Sequence, residues 1–195
     1  DLVRSRGLGD VYKRQIIASQ KKKENIAEYL LYMWQIEDII RAYGLDIDQI
    51  QKHIINSYDL PEEQKKSMRE WYESLIDMMH SEGVEKKGHL QLNKNVLIDL
   101  TDLHLRLLKS TREPFYGAAF FKTLPYIVEL RAKSGEGKTG ELETCFNALY
   151  GVLLLRLQKK EIQSDTLKAI QQISTFLSIL AEKYKQEKAG ELELE

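Results

Sequence analysis

Apolar residues in this chain recur at spacings of three and four, and this periodicity constrains the fold more than any other feature. Between residues 24 and 43, for example, Ile26, Tyr29, Leu30, Met33 and Ile40 fall on one side of a helix. The alternating pattern of a half-buried strand is not sustained over any useful length of the chain. Only three prolines are present, so long helices are rarely interrupted. The sequence therefore predicts an all-α protein.

Seven segments carry the helical pattern, and the roughly 180 residues that follow residue 15 suit one domain with a sizeable core. We therefore predict a single-domain helical bundle of about seven helices, over residues 16–187. Pro125 predicts a kink or a break near residues 122–124, and the polar tail 188–195 is expected to fray, starting near Gln186. The predicted helices run from Glu24 to Tyr43, Ile47 to Tyr58, Pro61 to Glu82, Asn93 to Lys109, Pro114 to Arg131, Glu141 to Lys159 and Ser164 to Tyr184.

Residues 1–15 form a segment that we expect to be non-native. Ser5 to Gln15, SRGLGDVYKRQ, resembles the conceptual translation of a transposase-type sequencing-library adapter read in frame. The first natural residue would then be Ile16, and the natural start is expected to precede it. Without the four basic and two acidic residues of this segment, the chain has 25 basic and 28 acidic residues, a charge of −3.

Composition limits the classes of function and the compartment. A near-neutral charge with mixed signs gives no electrostatic support for binding nucleic acid. No apolar run approaches the roughly 20 residues that cross a bilayer, and Val152 to Leu155 is closed by Arg156. The single cysteine, Cys145, cannot form an intrachain disulfide, which favours a reducing cytoplasm. We expect a cytoplasmic protein that binds neither nucleic acid nor membrane.

The stretch Ala132–Thr139, AKSGEGKT, fits a phosphate-binding loop if alanine is allowed at its first position. Such a loop lies between a buried strand and a helix whose N-terminus receives the phosphate. Here the preceding residues, Tyr126 to Leu130, continue a helical stripe. We therefore interpret the stretch as a turn between two helices, with Gly137, Lys138 and Thr139 near the start of the second. A nucleotide- or phosphate-binding enzyme is the alternative.

A second alternative is a metal–carboxylate bundle. Asp77 and His80 have the spacing of an acidic residue and a histidine on one helix face, and the next long helix carries Asp99, Asp102 and His104. No second Glu-x-x-His motif is present, so surface or partly buried histidines are the plainer interpretation.

The remaining reactive or aromatic residues fit the hydrophobic core. Cys145 lies on an apolar stripe and has no neighbouring histidine or lysine, which indicates a small core residue. The aromatic residues, including Phe115, Tyr116, Phe120 and Phe121, are at helical spacing and predict core, whereas an excess of exposed aromatics would mark a dimer face. No residue is singled out as catalytic, cofactor-binding or metal-ligating.

From Ile16 to about Tyr184 the chain resembles an uncharacterised bacterial family of small proteins with a domain of unknown function. The stretches that carry the resemblance are KKKENIAEYLLYMWQIEDIIRAY, EWYESLIDMM, HLQLNKNVLIDLTDLHLRLLKS, KTLPYIVELRAKS and ETCFNALYGVLLLRLQKKEI. The resemblance implies a small all-helical protein and transfers no functional residue. We expect a non-catalytic helical protein that acts through protein contacts or self-association.

Overall fold

A computed structural model describes residues 12–135 and 137–195, and within this part of the chain all regular structure is helical. None of these helices is both long and apolar enough to cross a bilayer. One short 3₁₀ helix, Ile55–Ser57, follows the third α-helix. The α-helices are α1 Tyr12–Glu24, α2 Ile26–Ala42, α3 Ile47–His53, α4 Glu62–Glu82, α5 Gln91–Lys109, α6 Pro114–Ser134, α7 Glu141–Leu157 and α8 Ser164–Lys188.

The chain divides into two compact units by its internal contacts. The first comprises residues 12–24 and Glu28–Asn95 of the described chain, and the second comprises Asn25–Ala27 and Val96–Glu195. The division in α5 falls between Asn95 and Val96.

The first unit contains α1, most of α2, α3, α4 and the first turn of α5. Asp46 caps α3, because its carboxylate accepts hydrogen bonds from the backbone N–H groups of Asp48 and Gln49. Gly83 ends α4 in the left-handed conformation, with φ 67°, which costs a glycine little. Helix α4 packs against α1 and α3. An irregular segment, residues 83–90, then connects α4 to α5.

The second unit is built on α5, α6, α7 and α8, of which the last three pack pairwise against one another. Its core includes aromatic side chains from three of these helices: Tyr116, Phe120, Phe146 and Phe176. Aromatic rings bury large apolar areas, so they supply much of the driving force for packing helices together.

All seven predicted helices are present, and the all-α prediction is confirmed. Helix α1 was not predicted; its first four residues belong to the adapter-like segment, and residues 1–11 lie outside the described part of the chain. The adapter origin therefore stays a prediction.

The sequence predicted a kink or a break near residues 122–124; the break is absent, because α6 continues through Pro125, and the kink stays a prediction. Proline cannot donate a hydrogen bond to the carbonyl of Phe121, four residues earlier. Both residues are exposed, so the carbonyl lies on the side of the helix where water can bond it.

The expectation that the tail frays is also wrong. Helix α8 extends to Lys188, and Gly190 adopts φ 73°, which lets Glu191 N–H bond the carbonyl of Gln186. The last residues then bond the segment between α5 and α6. Arg112 pairs with Glu193 at 2.8 Å, and the Ser110 hydroxyl donates to the carbonyl of Leu194 at 2.7 Å.

Candidate functional site

A fully buried carboxylate lies within the first unit. Glu37, on α2, accepts three hydrogen bonds. The donors are His89 Nδ1 at 2.7 Å, the Leu90 backbone N–H at 3.0 Å and Asn93 Nδ2 at 2.6 Å. A buried carboxylate is costly unless it is paired or fully hydrogen-bonded. These donors provide that compensation, and they fix the start of α5 against α2.

Two neighbours complete this Glu37 cluster. The His89 ring stacks on Trp34 with ring centroids 4.2 Å apart and an interplanar angle of 13°. One turn further along α2, the Arg41 guanidinium donates to the carbonyl oxygens of Val84 and Gly88. The irregular segment 83–90 is therefore held at both ends by side chains of one helix.

The chemistry of the Glu37 cluster is better suited to holding two segments of the chain together than to catalysis. The carboxylate itself has no exposed surface, and its hydrogen-bond donors come from the end of segment 83–90 and from the first turn of α5. His89 is the member of the acid–histidine pair that reaches solvent, with 32% of its side chain exposed. The Asn93 Oδ1 atom is buried and accepts no hydrogen bond from the described residues.

The second unit buries a histidine in its aromatic core. His104 Nδ1 lies 2.6 Å from the Tyr116 hydroxyl, and the rings of Phe120 and Phe176 stand edge-on to the imidazole. Burial lowers the pKa of His104, because the apolar surroundings disfavour the imidazolium. Burial likewise raises the pKa of Tyr116. Both groups are held neutral and away from solvent, so neither is accessible to a substrate.

Cys145 lies within the same core and is fully buried. Burial, and secondarily the negative charge of Glu141, raises the pKa of its thiol to about 12. A thiol in this state is a poor nucleophile, since the thiolate is the reactive form. The interpretation of Cys145 as a small core residue agrees with this environment.

The stretch Ala132–Thr139 begins in the last turn of α6, which ends at Ser134, and no strand precedes it within the described residues. Tyr126 to Leu130 lie inside α6, and Gly135 ends that helix with φ 72°. Gly140 is the N-cap of α7, and Glu136 lies outside the described residues. The first turn of α7 already carries Glu141 and Glu143. These carboxylates occupy the position where a helix N-terminus would attract phosphate.

The candidate metal ligands are not assembled. The described part of the chain contains no group of three or more His, Cys, Asp or Glu side chains that could hold a metal ion. His80 lies 3.4 Å from Glu85 on the surface, Asp102 pairs with Arg106 at 2.8 Å, and His104 lies in the aromatic core.

The most unusual surface of the second unit is the outer face of α6. Five exposed residues, at spacings of three and four, form a stripe with no polar member: Ala118, Phe121, Pro125, Val128 and Ala132. Phe121 is 65% exposed and Val128 is 56% exposed. The opposite face of α6 buries Tyr116, Phe120, Thr123 and Ile127. Helix α6 is therefore apolar on both faces, which is typical of a helix with a partner on each side.

A second exposed helix face provides a useful contrast. On α5, Ile98 is 60% exposed and Leu105 is 51% exposed, but the exposed Asp102 lies between them. Isolated apolar residues of this kind are normal on protein surfaces. The α6 stripe differs because no charge interrupts it over four helical turns.

Comparison with protein families gives one match, which covers residues 15–191 and is described as a domain of unknown function, DUF4924. The chain belongs to this family. The match includes both units almost completely. Comparisons with curated proteins and with solved structures each gave no match.

Glu37 was not predicted from the sequence, and the aromatic residues Phe115 and Phe121 were predicted to lie in the core. The structure corrects the second prediction, since both side chains are exposed. A signal was present in each case. Glu37 falls on the apolar stripe of its helix between Met33 and Ile40, and adjacent residues such as Phe120 and Phe121 point about 100° apart around a helix.

Proposed function

We propose that this protein is a non-catalytic helical module that acts by self-association, with the outer face of α6 as its contact surface. The observation that carries the proposal is the uninterrupted exposed stripe from Ala118 to Ala132. Burial of such a stripe removes apolar area from water, which is the main driving force of protein association.

A second copy of the chain is a suitable occupant because the spacing of the stripe is self-complementary. Apolar residues that alternate at three and four positions are the pattern by which two helices pack side by side. Large residues, Phe121 and Val128, alternate along the stripe with the smaller Ala118, Pro125 and Ala132. Alternation of this kind lets the large side chains of one helix enter the spaces of another.

The other polar features of the protein support a non-catalytic role. The Glu37 cluster uses its donors internally, and His104, Tyr116 and Cys145 are buried in neutral forms. We place the protein in a reducing cytoplasm on the strength of its single cysteine. Its mixed, near-neutral charge supports a protein partner over nucleic acid.

Sedimentation equilibrium from low micromolar to several hundred micromolar protein tests the proposal. The weight-average mass should rise from 22.7 kDa towards twice that value as concentration increases. Phe121→Ser should raise the dissociation constant at least about tenfold, since about 1.4 kcal/mol of lost burial has that effect.

The matched control is Leu105→Ser, which removes an apolar side chain of similar exposure from α5. This variant should associate as the parent protein does, and both variants should keep the parent far-ultraviolet circular dichroism. A parent protein that stays monomeric throughout, or an equal loss in both variants, would overturn the proposal.

A further inference from the structure

We infer that the two copies pair through α6 in antiparallel orientation, about a twofold axis that crosses the helix near Tyr126. This inference rests on the proposed function, because it specifies how the same surface meets its partner. A twofold axis is the symmetry of most homodimers, and it places the same patch of both subunits in contact.

The charges beside the stripe select the orientation. One flank carries exposed charged residues, Lys122 and Glu129, one heptad apart, and Glu129 also pairs with Lys133 of its own helix at 2.6 Å. The other flank carries the half-buried Gly117, Leu124 and Arg131, of which Arg131 contacts Glu141 and Thr144 of the same chain. Exposed charged side chains therefore lie on one side of the stripe only.

The two possible orientations use these flanks differently. Two parallel helices related by a twofold axis bring the charged flank of one against the opposite flank of the other. Lys122 would then face the apolar side of the partner, with no charge to match it. Two antiparallel helices bring the charged flanks together on the same side, where opposite charges can pair as they do in coiled coils. The one-sided charge pattern therefore favours the antiparallel orientation.

The order of charges along the flank sets the register. With the axis near residue 126, Lys122 lies opposite the partner's Glu129, and Glu129 lies opposite the partner's Lys122. The same register places Phe121 opposite the partner's Ala132, so that the largest side chain of the stripe meets one of the smallest. Charge and side-chain size thus agree on one alignment.

The contact is short, and its affinity should be modest. Ala118 to Ala132 spans about 21 Å of helix, at 1.5 Å per residue. A single helix pair of this length buries less than the roughly 800 Å² per partner of a standard interface. We therefore expect a reversible dimer whose population changes within the micromolar range.

Exchanging the charges of Lys122 and Glu129 tests whether these residues pair across the proposed dimer. Lys122→Glu and Glu129→Lys, each alone, place like charges opposite each other and should raise the dissociation constant about five- to tenfold. The double variant restores opposite charges and should return the constant to within about threefold of the parent value. Lys168→Glu, on the exposed surface of α8, changes the net charge by the same amount as Lys122→Glu and should have no effect.

Cross-linking tests the orientation independently. Preparations carrying Ala118→Cys and Ala132→Cys, when mixed and treated with a short bismaleimide, should give a covalent heterodimer. Ala118→Cys alone should not cross-link to itself, because an antiparallel pair separates the two positions by about 24 Å along the helix. The unsubstituted protein treated in the same way provides the background.

The possible results distinguish a failure of dimerisation from a failure of the antiparallel orientation. A parent protein that never dimerises removes the proposed function, and the orientation with it. A parent protein that dimerises while the double charge variant stays weak, or while Ala118→Cys cross-links to itself, overturns the antiparallel orientation alone. Rescue by the double variant together with the mixed cross-link supports both.

Discussion

The interiors of the two units are stabilised by different kinds of interaction. The first holds an irregular segment, residues 83–90, with a buried carboxylate and a guanidinium from α2. The second packs long helices around clustered aromatic rings, among them Tyr116, Phe120 and Phe176. Irregular backbone needs hydrogen-bond partners when it is buried, whereas helices satisfy their own backbone and need only apolar contacts. The polar cluster is therefore found beside the irregular segment.

The largest effect is expected from the aromatic core of the second unit. Phe176→Ala removes a ring that contacts His104, Tyr116 and Phe120, and it should lower the free energy of unfolding by about 4 kcal/mol. Urea denaturation followed by circular dichroism measures this loss. Phe121→Ala, on the exposed face of α6, is the control and should cost less than about 1 kcal/mol. Equal losses would show that the aromatic cluster is not the main support of this unit.

Glu37→Ala should have the next largest effect, and in the first unit. It leaves three donors without their acceptor, so the free energy of unfolding should fall by about 3 kcal/mol. The same denaturation, followed by tryptophan fluorescence, measures it, since both tryptophans belong to this unit.

Asp38→Ala, the adjacent acidic residue, removes a partly exposed ion pair with Arg41 and should cost under about 1 kcal/mol. If Glu37→Ala were no more harmful than Asp38→Ala, the buried carboxylate could not be what fastens residues 83–90, and the contrast between the units would disappear.

A smaller, pH-dependent effect is expected at His104. Its folded pKa is lowered by burial from an ordinary value near 6.5, so the unfolded chain takes up the proton first as pH falls. Stability should therefore be complete above about pH 6.5 and decline as pH falls towards the folded pKa, by about 1.4 kcal/mol for each unit of lowering.

Denaturation midpoints between pH 7.5 and pH 5 measure how steeply stability declines as pH falls. His104→Gln should flatten it, while His53→Gln, at an exposed position, should leave it unchanged. A slope that survives the loss of His104 would assign the acid sensitivity to another group.

Much of the fold could be predicted from the sequence, because helices are encoded by local periodicity. Asp46 is followed directly by the helix that it caps, so its capping role could be predicted from the sequence. The Glu37 cluster could not be predicted, since Glu37 and its three donors are more than 50 residues apart and only the tertiary fold brings them together. Phe121, on the outer face of α6, was assigned to the core for a related reason. Apolar residues occur on both faces of that helix, and periodicity alone does not say which face is covered.

The burial of Cys145 has a practical consequence for the second unit. It is the only cysteine of the chain, it is inaccessible, and its pKa near 12 keeps it in the thiol form. A thiol-specific reagent can therefore modify it only when the surrounding helices separate. The rate of labelling therefore reports the opening of this core at a single natural position, without any substitution.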